Sequence, residues 1–222
     1  FIEKAYAEMI DVYSWDTPNG QKITICLEEC RLKYRLIPVN IRRGDQRNAD
    51  YLERFPNGKI PAIVDHGSQS ERPVQLFESG AILHYLANRS TALAVNDPTE
   101  QAAALSWLFW QVSALGPAIG QWGRNAGPDG TAQGEVWFRR EVIRLMSVLD
   151  QRLAASDYLA GSAYSIADIA CFTWLRRKSI YMRRFPFDGL PEFPATRIWL
   201  DRIAERPAVR RGLAASATLT TD

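Results

Sequence analysis

The chain has 222 residues, 46% of them hydrophobic and 23% charged, which fits a globular protein of one large or two small domains with length enough for a core. A net charge of +2 argues against a strongly basic nucleic-acid binder, and no uninterrupted apolar run comes near the ~18 residues of a membrane span. Three cysteines, Cys26, Cys30 and Cys171, are too few and odd in number for a disulfide framework, and they fit a reducing, cytoplasmic setting.

Residues Phe1 to Glu8 carry no signal-peptide pattern and read as a trimmed or tagged start outside the fold. Residues 9 to 14 predict a short strand. Residues 18 to 30 predict a helix with Ile23, Cys26, Leu27 and Cys30 on one face, Thr17 as N-cap and Pro18 at the first helical position. Tyr34 to Val39 predicts a second strand, parallel to the first because a helix connects them. A short helix over 49 to 54 follows, then strands at Ala62 to Val64 and Val74 to Phe77. The turn-rich stretch between those two strands makes them an antiparallel hairpin. A helix over Ser79 to Ala87 closes the order β-α-β-α-β-β-α, that of the thioredoxin fold.

Residues 88 to 97 read as a linker, and from Asp97 the pattern is helical throughout. Asp97-Pro98-Thr99-Glu100 is a helix start, and Gly116-Pro117 is expected to kink or end that helix. A second long helix covers 133 to 155 with Val142, Leu145, Met146, Leu149 and Leu153 in register. Ser165 and Asp168 have capping-box spacing, with Tyr164 and Ile169 placed as a hydrophobic staple. Two terminal helices cover 191 to 206 and 208 to 215. The predicted domains are therefore an α/β thioredoxin-like domain at 9–88 and an all-α domain at 98–215. The clusters Arg176-Arg177-Lys178 and Arg183-Arg184 read as a solvated helix face.

Three segments carry chemistry. A helix starting at Ser79 offers free backbone N–H groups and a positive dipole end to a carboxylate. The Ser79 hydroxyl adds a donor, and Glu78 can accept from an α-amino group, so the pair suits a zwitterionic amino-acid head; the plainer reading is a helix cap. Pro61 opens a strand, and a cis bond there would turn the N–H and C=O of Ile60 outward to pair with an extended peptide. The sequence leaves the isomer open. Thr17 and Asn19, at the start of the first helix, can donate to a thiolate and favour its ionised form, or they are caps and nothing more. Tyr13 and Ser14 are rival hydroxyls. No cysteine lies in this loop, which disfavours a protein-thiol redox mechanism, and Cys26 and Cys30 read as core residues. His66 and His84 stand apart from any cluster of Cys, Asp or Glu, so no metal site is expected.

Taken together, Thr17-Pro18-Asn19-Gly20, Pro38-Val39-Asn40-Ile41 with Gly44 and Gln46, Pro56-Asn57 with Lys59-Ile60-Pro61-Ala62-Ile63-Val64-Asp65-His66, and Leu76-Phe77-Glu78-Ser79-Gly80-Ala81-Ile82-Leu83 resemble the cytosolic glutathione transferases, in particular the bacterial Nu class. Trp107-Leu108-Phe109-Trp110-Gln111 and Leu115-Gly116-Pro117 extend the likeness over about residues 9 to 215. The resemblance implies a glutathione-binding enzyme that reduces small disulfides with no cysteine of its own and works as a homodimer. By motif position, Thr17 and Asn19 would contact the glutathione sulfur, Gln46, Lys59, Ile60, Glu78 and Ser79 would hold the tripeptide, and Pro61 would be a cis-proline. The chain departs from the pattern at Trp122-Gly123-Arg124-Asn125 and at Trp137. The first function expected is thus glutathione-dependent disulfide reduction. A second is transfer of the same thiolate to a carbon electrophile, for which Trp122, Trp137, Phe109 and Trp110 are candidates to line an apolar pocket, the plainer reading being helix core. A third is non-catalytic, regulatory glutathione binding.

Overall fold

The computed structural model describes residues 9–68, 72–176 and 192–220. Phe1 to Glu8 and the basic residues Arg177, Lys178, Arg183 and Arg184 lie outside the described residues. The chain divides into two compact units. One runs to Leu93 and resumes at Pro207; the other is Ala94–Arg206.

The first unit is thioredoxin-like. Its four strands are β1 (Ile10–Ser14), β2 (Tyr34–Pro38), β3 (Ala62–Asp65) and β4 (Val74–Phe77), in the sheet order β2-β1-β3-β4. β1 and β2 are parallel, while β3 is antiparallel to both β1 and β4. Helix α1 (Pro18–Cys30) begins where expected, with the Thr17 side chain accepting from the Gly20 N–H, and ends on Arg31 in a left-handed conformation. Helix α2 (Ala49–Arg54) lies over one sheet face, where Tyr51 and Phe55 pack with Val39, Ala62 and Val64. Helix α3 (Ser79–Asn88) packs against α1.

Almost every residue of α1 is buried, far more than the one apolar face its sequence announces. The cause is the last helix of the chain (Pro207–Ala217), which packs along α1 inside this unit. The sequence reading placed that segment in the helical domain. Gly212 explains the packing: a Cβ there would stand 2.6 Å from the Ile25 Cα, so only glycine lets the two backbones approach this closely.

The second unit is helical. Helix α4 (Pro98–Trp110) is capped by Asp97, whose side chain accepts from the Glu100 N–H. It neither ends nor breaks at Gly116-Pro117. A π-helical turn over Gln111–Leu115 sends the Gly116 N–H back to the Gln111 carbonyl, and α5 (Gly116–Asn125) continues beyond it. Shifting the ladder by one residue accommodates a proline that has no N–H of its own. By length and composition the stretch Pro98–Asn125 is enough to cross a membrane, contrary to the expectation from the sequence. Its Leu108, Leu115, Ile119 and Trp122 are buried.

Helix α6 (Ala132–Ala154) buries the five predicted positions from Val142 to Leu153. Helix α7 (Ile166–Leu175) opens on the predicted capping box and is wholly buried. The Asp168 carboxylate accepts from the N–H groups of Ser165 and Leu159, the Ser165 hydroxyl and Trp199 Nε1, at 2.9–3.0 Å. Trp199 belongs to α8 (Pro194–Ala204), and the chain leaves this unit to form α9, the helix Pro207–Ala217 described above.

The close approach at Gly212 gives a first prediction. Gly212→Ala forces the α1 and α9 backbones apart and lowers stability by about 1–3 kcal/mol, read as a shifted urea midpoint at unchanged slope.

Candidate functional site

Strand register brings the candidate residues to one edge of the sheet. Tyr13 lies opposite Ala62, and Ala62 opposite Phe77. One residue outward, Ser14, Pro61 and Glu78 therefore stand side by side. Ser14 also pairs with Pro38 in the parallel ladder, so the loop carrying Gln46 leaves from the same edge. Helices α1 and α3 both begin there.

At the start of α1, the Thr17 oxygen accepts from the Gly20 N–H at 3.2 Å. A hydroxyl has one hydrogen and two lone pairs, so its O–H remains able to donate outward. Asn19 is half-buried at the second helical position. The rival hydroxyls are differently engaged. Tyr13 packs against Phe55 and Tyr51 under α2, and its oxygen accepts from Arg54 Nη1 at 2.7 Å. Ser14 is fully buried below Gly20, where a Cβ would stand 2.5 Å from its Oγ and would overlap the Trp15 carbonyl oxygen.

The Ile60-Pro61 bond is cis. Among the described residues no hydrogen bond joins the Ile60 N–H or C=O to other backbone groups, which leaves both for an added peptide. Lys59 is exposed, and its carbonyl accepts from the Tyr51 hydroxyl at 2.7 Å, which ties the approach to Pro61 to α2. Burial pushes the Tyr51 phenol up to about 12, so it remains a donor. Gln46 sits in the 3₁₀ turn Asp45–Arg47, and its Oε1 is buried with no hydrogen-bond partner among the described residues. A buried acceptor without a donor costs about 1–3 kcal/mol.

Glu78 has φ +71°, uncommon for a residue with a side chain. Asn57 Nδ2 donates to its Oε1 at 2.9 Å, so the carboxylate is held with its other oxygen open. Ser79, the first residue of α3, is buried, and its Oγ accepts from Lys22 Nζ at 3.1 Å. The first intrahelical bond runs from the Ile82 N–H to the Glu78 carbonyl, leaving the amides before it facing the helix end.

Two participants were missed in the sequence. Asn57 lies inside a quoted motif but drew no role, since its partner is 21 residues away. Lys22 drew no role in the sequence either; only the three-dimensional packing reveals that it is buried. The four aromatics grouped as a pocket do not share one environment. Trp122 is in the core, whereas Phe109 and Trp137 are exposed. Among the described residues no group of three or more His, Cys, Asp or Glu side chains is arranged to hold a metal ion.

A thioredoxin-like unit with this edge, joined to a helical unit, defines a class that comparison with known proteins makes specific. The model of the glutathione S-transferase N-terminal domain matches residues 17–89, and that of the C-terminal domain matches residues 138–207. The chain belongs to the glutathione transferase family. It is 45% identical over 208 residues to the disulfide-bond oxidoreductase YfcG of Escherichia coli, covering 92% of this chain and 94% of that one. Among solved structures it resembles a glutathione transferase from Pseudomonas putida with one glutathione disulfide bound per subunit (TM-score 0.86, 38% identity, 93% and 91% of the two chains). It also resembles one from Burkholderia graminis with two glutathione molecules bound per subunit (TM-score 0.84, 36% identity, 94% and 88%).

The Tyr51 tether is open to test by pH. Its folded pKa lies above the ~10 of an unfolded tyrosine, so its stabilisation is complete below pH ~10 and is lost as pH rises through about 12. Tyr51→Phe costs about 1 kcal/mol at pH 7, and urea titrations between pH ~10 and ~12 show a shallower fall in stability than in wild type.

Proposed function

We propose that this protein is a glutathione-dependent disulfide-bond reductase whose reacting thiol belongs to bound glutathione. The reading is supported by the kinship to a disulfide-bond oxidoreductase and by neighbours that hold glutathione or its disulfide. The observation that carries it is the Thr17 hydroxyl at the N-terminus of α1, whose oxygen accepts one internal hydrogen bond and whose hydrogen that contact leaves uncommitted, in a site edge that has no cysteine. Cys26, Cys30 and Cys171 are all buried free thiols, so a nucleophile must come from the ligand.

In this reading Glu78 accepts from the glutathione α-ammonium, and Ser79 with the α3 amides binds its α-carboxylate. Ile60 pairs with the cysteinyl backbone, Pro61 fixes that edge, Gln46 helps hold the tripeptide, and Lys59 faces the glycyl carboxylate. Thr17 and Asn19 donate to the sulfur. A donor and a helix N-terminus lower the thiol pKa from its usual ~8.5, which raises the thiolate fraction at neutral pH. The thiolate attacks one sulfur of the substrate disulfide, forms a mixed disulfide and expels the other half as a thiolate. A second glutathione thiolate attacks the mixed disulfide and releases glutathione disulfide. Two electrons pass from two glutathiones to one disulfide. The enzyme acts in the cytosol as a homodimer, the assembly its family resemblance implies.

The test is glutathione-dependent reduction of a small disulfide, coupled to glutathione reductase. Wild type turns over, and Thr17→Ala lowers kcat/KM about tenfold to a hundredfold, the range expected for losing one hydrogen bond to a charged sulfur. Conjugation of carbon electrophiles without disulfide turnover, or glutathione binding without turnover of either, contradicts the reading.

A further inference from the structure

Lys22 is among the largest fully buried side chains, 1% exposed, and a lysine is rarely buried so completely. Its Nζ donates to Ser79 Oγ at 3.1 Å, a buried contact between residues 57 apart in sequence. An ammonium can only donate, so Ser79 must accept in this pair. One lone pair of the Ser79 oxygen is thereby occupied, and its hydrogen is directed elsewhere. Ser79 opens α3, whose first amides face the same edge.

We infer that Lys22 is a positioning residue for the ligand carboxylate. It fixes the Ser79 hydroxyl as a donor toward the mouth of the site and polarises it, and its own positive charge lies one hydroxyl away from the bound anion. Serine alone can rotate and offer either a donor or a lone pair. With Lys22 holding one lone pair, its hydrogen is turned away from Lys22 and the adjacent positive charge disfavours an ammonium there. In a site of low dielectric this chain of two hydrogen bonds strengthens both, and it selects an anionic group over a neutral amide or an ammonium. The inference rests on the proposed placement of the glutathione α-carboxylate at Ser79, and it adds the charge behind the serine that makes this subsite selective.

The test uses three probes: glutathione, glutaryl-Cys-Gly, which lacks the α-amine, and 4-aminobutyryl-Cys-Gly, which lacks the α-carboxylate. Binding is measured by titration calorimetry. Lys22→Met removes the donor at similar length. It weakens glutathione and glutaryl-Cys-Gly about tenfold and leaves 4-aminobutyryl-Cys-Gly within about twofold of wild type, as expected for a charge-assisted contact made only by the carboxylate. Lys22→Arg restores part of the loss. Equal weakening of all three probes means that Lys22 only supports the fold locally, and an unchanged set means that it has no role; either overturns the inference. A measurement on wild type alone guards against a variant that fails to fold. The buried Lys22 Nζ nitrogen resonance shifts with glutathione and glutaryl-Cys-Gly and stays in place with 4-aminobutyryl-Cys-Gly; a resonance indifferent to all three also overturns it. Ser79→Ala separates the two levels. If it leaves glutathione affinity unchanged, the site assignment fails. If it weakens binding while Lys22→Met does not, only the role of Lys22 fails.

Discussion

Two helices begin at one edge of one small sheet, and the site is built on that constraint. The alignment of Tyr13 with Ala62 and of Ala62 with Phe77 sets where every loop of the first unit emerges. A one-residue slip in β3 would reverse which of its side chains face α2 and would move Pro61 away from Glu78. The register is held by apolar packing on both faces of the sheet: Ala62 and Val64 under Tyr51 and Phe55, and Val12 and Ile63 fully buried. The chemistry at the edge is thus positioned by a core that takes no part in it.

That edge is assembled from groups whose hydrogen-bonding capacity is only partly used inside the protein. Among the described residues the Thr17 and Ser79 oxygens each accept an internal hydrogen bond, which leaves the hydroxyl hydrogen uncommitted by that contact. Gln46 keeps a buried carbonyl oxygen, and Glu78 keeps one carboxylate oxygen while the other is tied to Asn57. Holding Glu78 at positive φ and burying an unsatisfied amide each cost about 1–3 kcal/mol, and such costs concentrate at binding sites. The buried Asp168 carboxylate, by contrast, is fully satisfied. Asp168 accepts four hydrogen bonds, and they join the start of α7 to Leu159 and to Trp199 on α8.

Local signals in the sequence were legible because their partners are near. Thr17 and Gly20 are three residues apart, as are Ser165 and Asp168, and both helix starts form as the spacing predicts. The β-α-β crossover and the β3-β4 hairpin follow from connection length alone. Gly116-Pro117 signals an irregularity in the helix, but its form, a one-residue shift into a π-helical turn that absorbs the missing N–H, is an option the local sequence does not announce. The last helix misled because its partner, Ile25, lies nearly the whole chain away and only the bare Gly212 hints at a close crossing. Lys22 was unreadable for the same reason: burial of a charge is decided by what covers it. Trp122, Phe109 and Trp137 were grouped by residue type, whereas their positions on the helices send one inward and two outward.

The central claim is that glutathione binds along this edge of the first unit. Amide ¹H–¹⁵N mapping during a glutathione titration tests it most directly. The account predicts progressive shifts at Thr17, Gly20, Gln46, Ile60, Ser79 and Gly80, with the amides of Ser165 to Ile169 unmoved. Shifts confined to the helical unit, with Ile60 and Ser79 unchanged at saturation, contradict it.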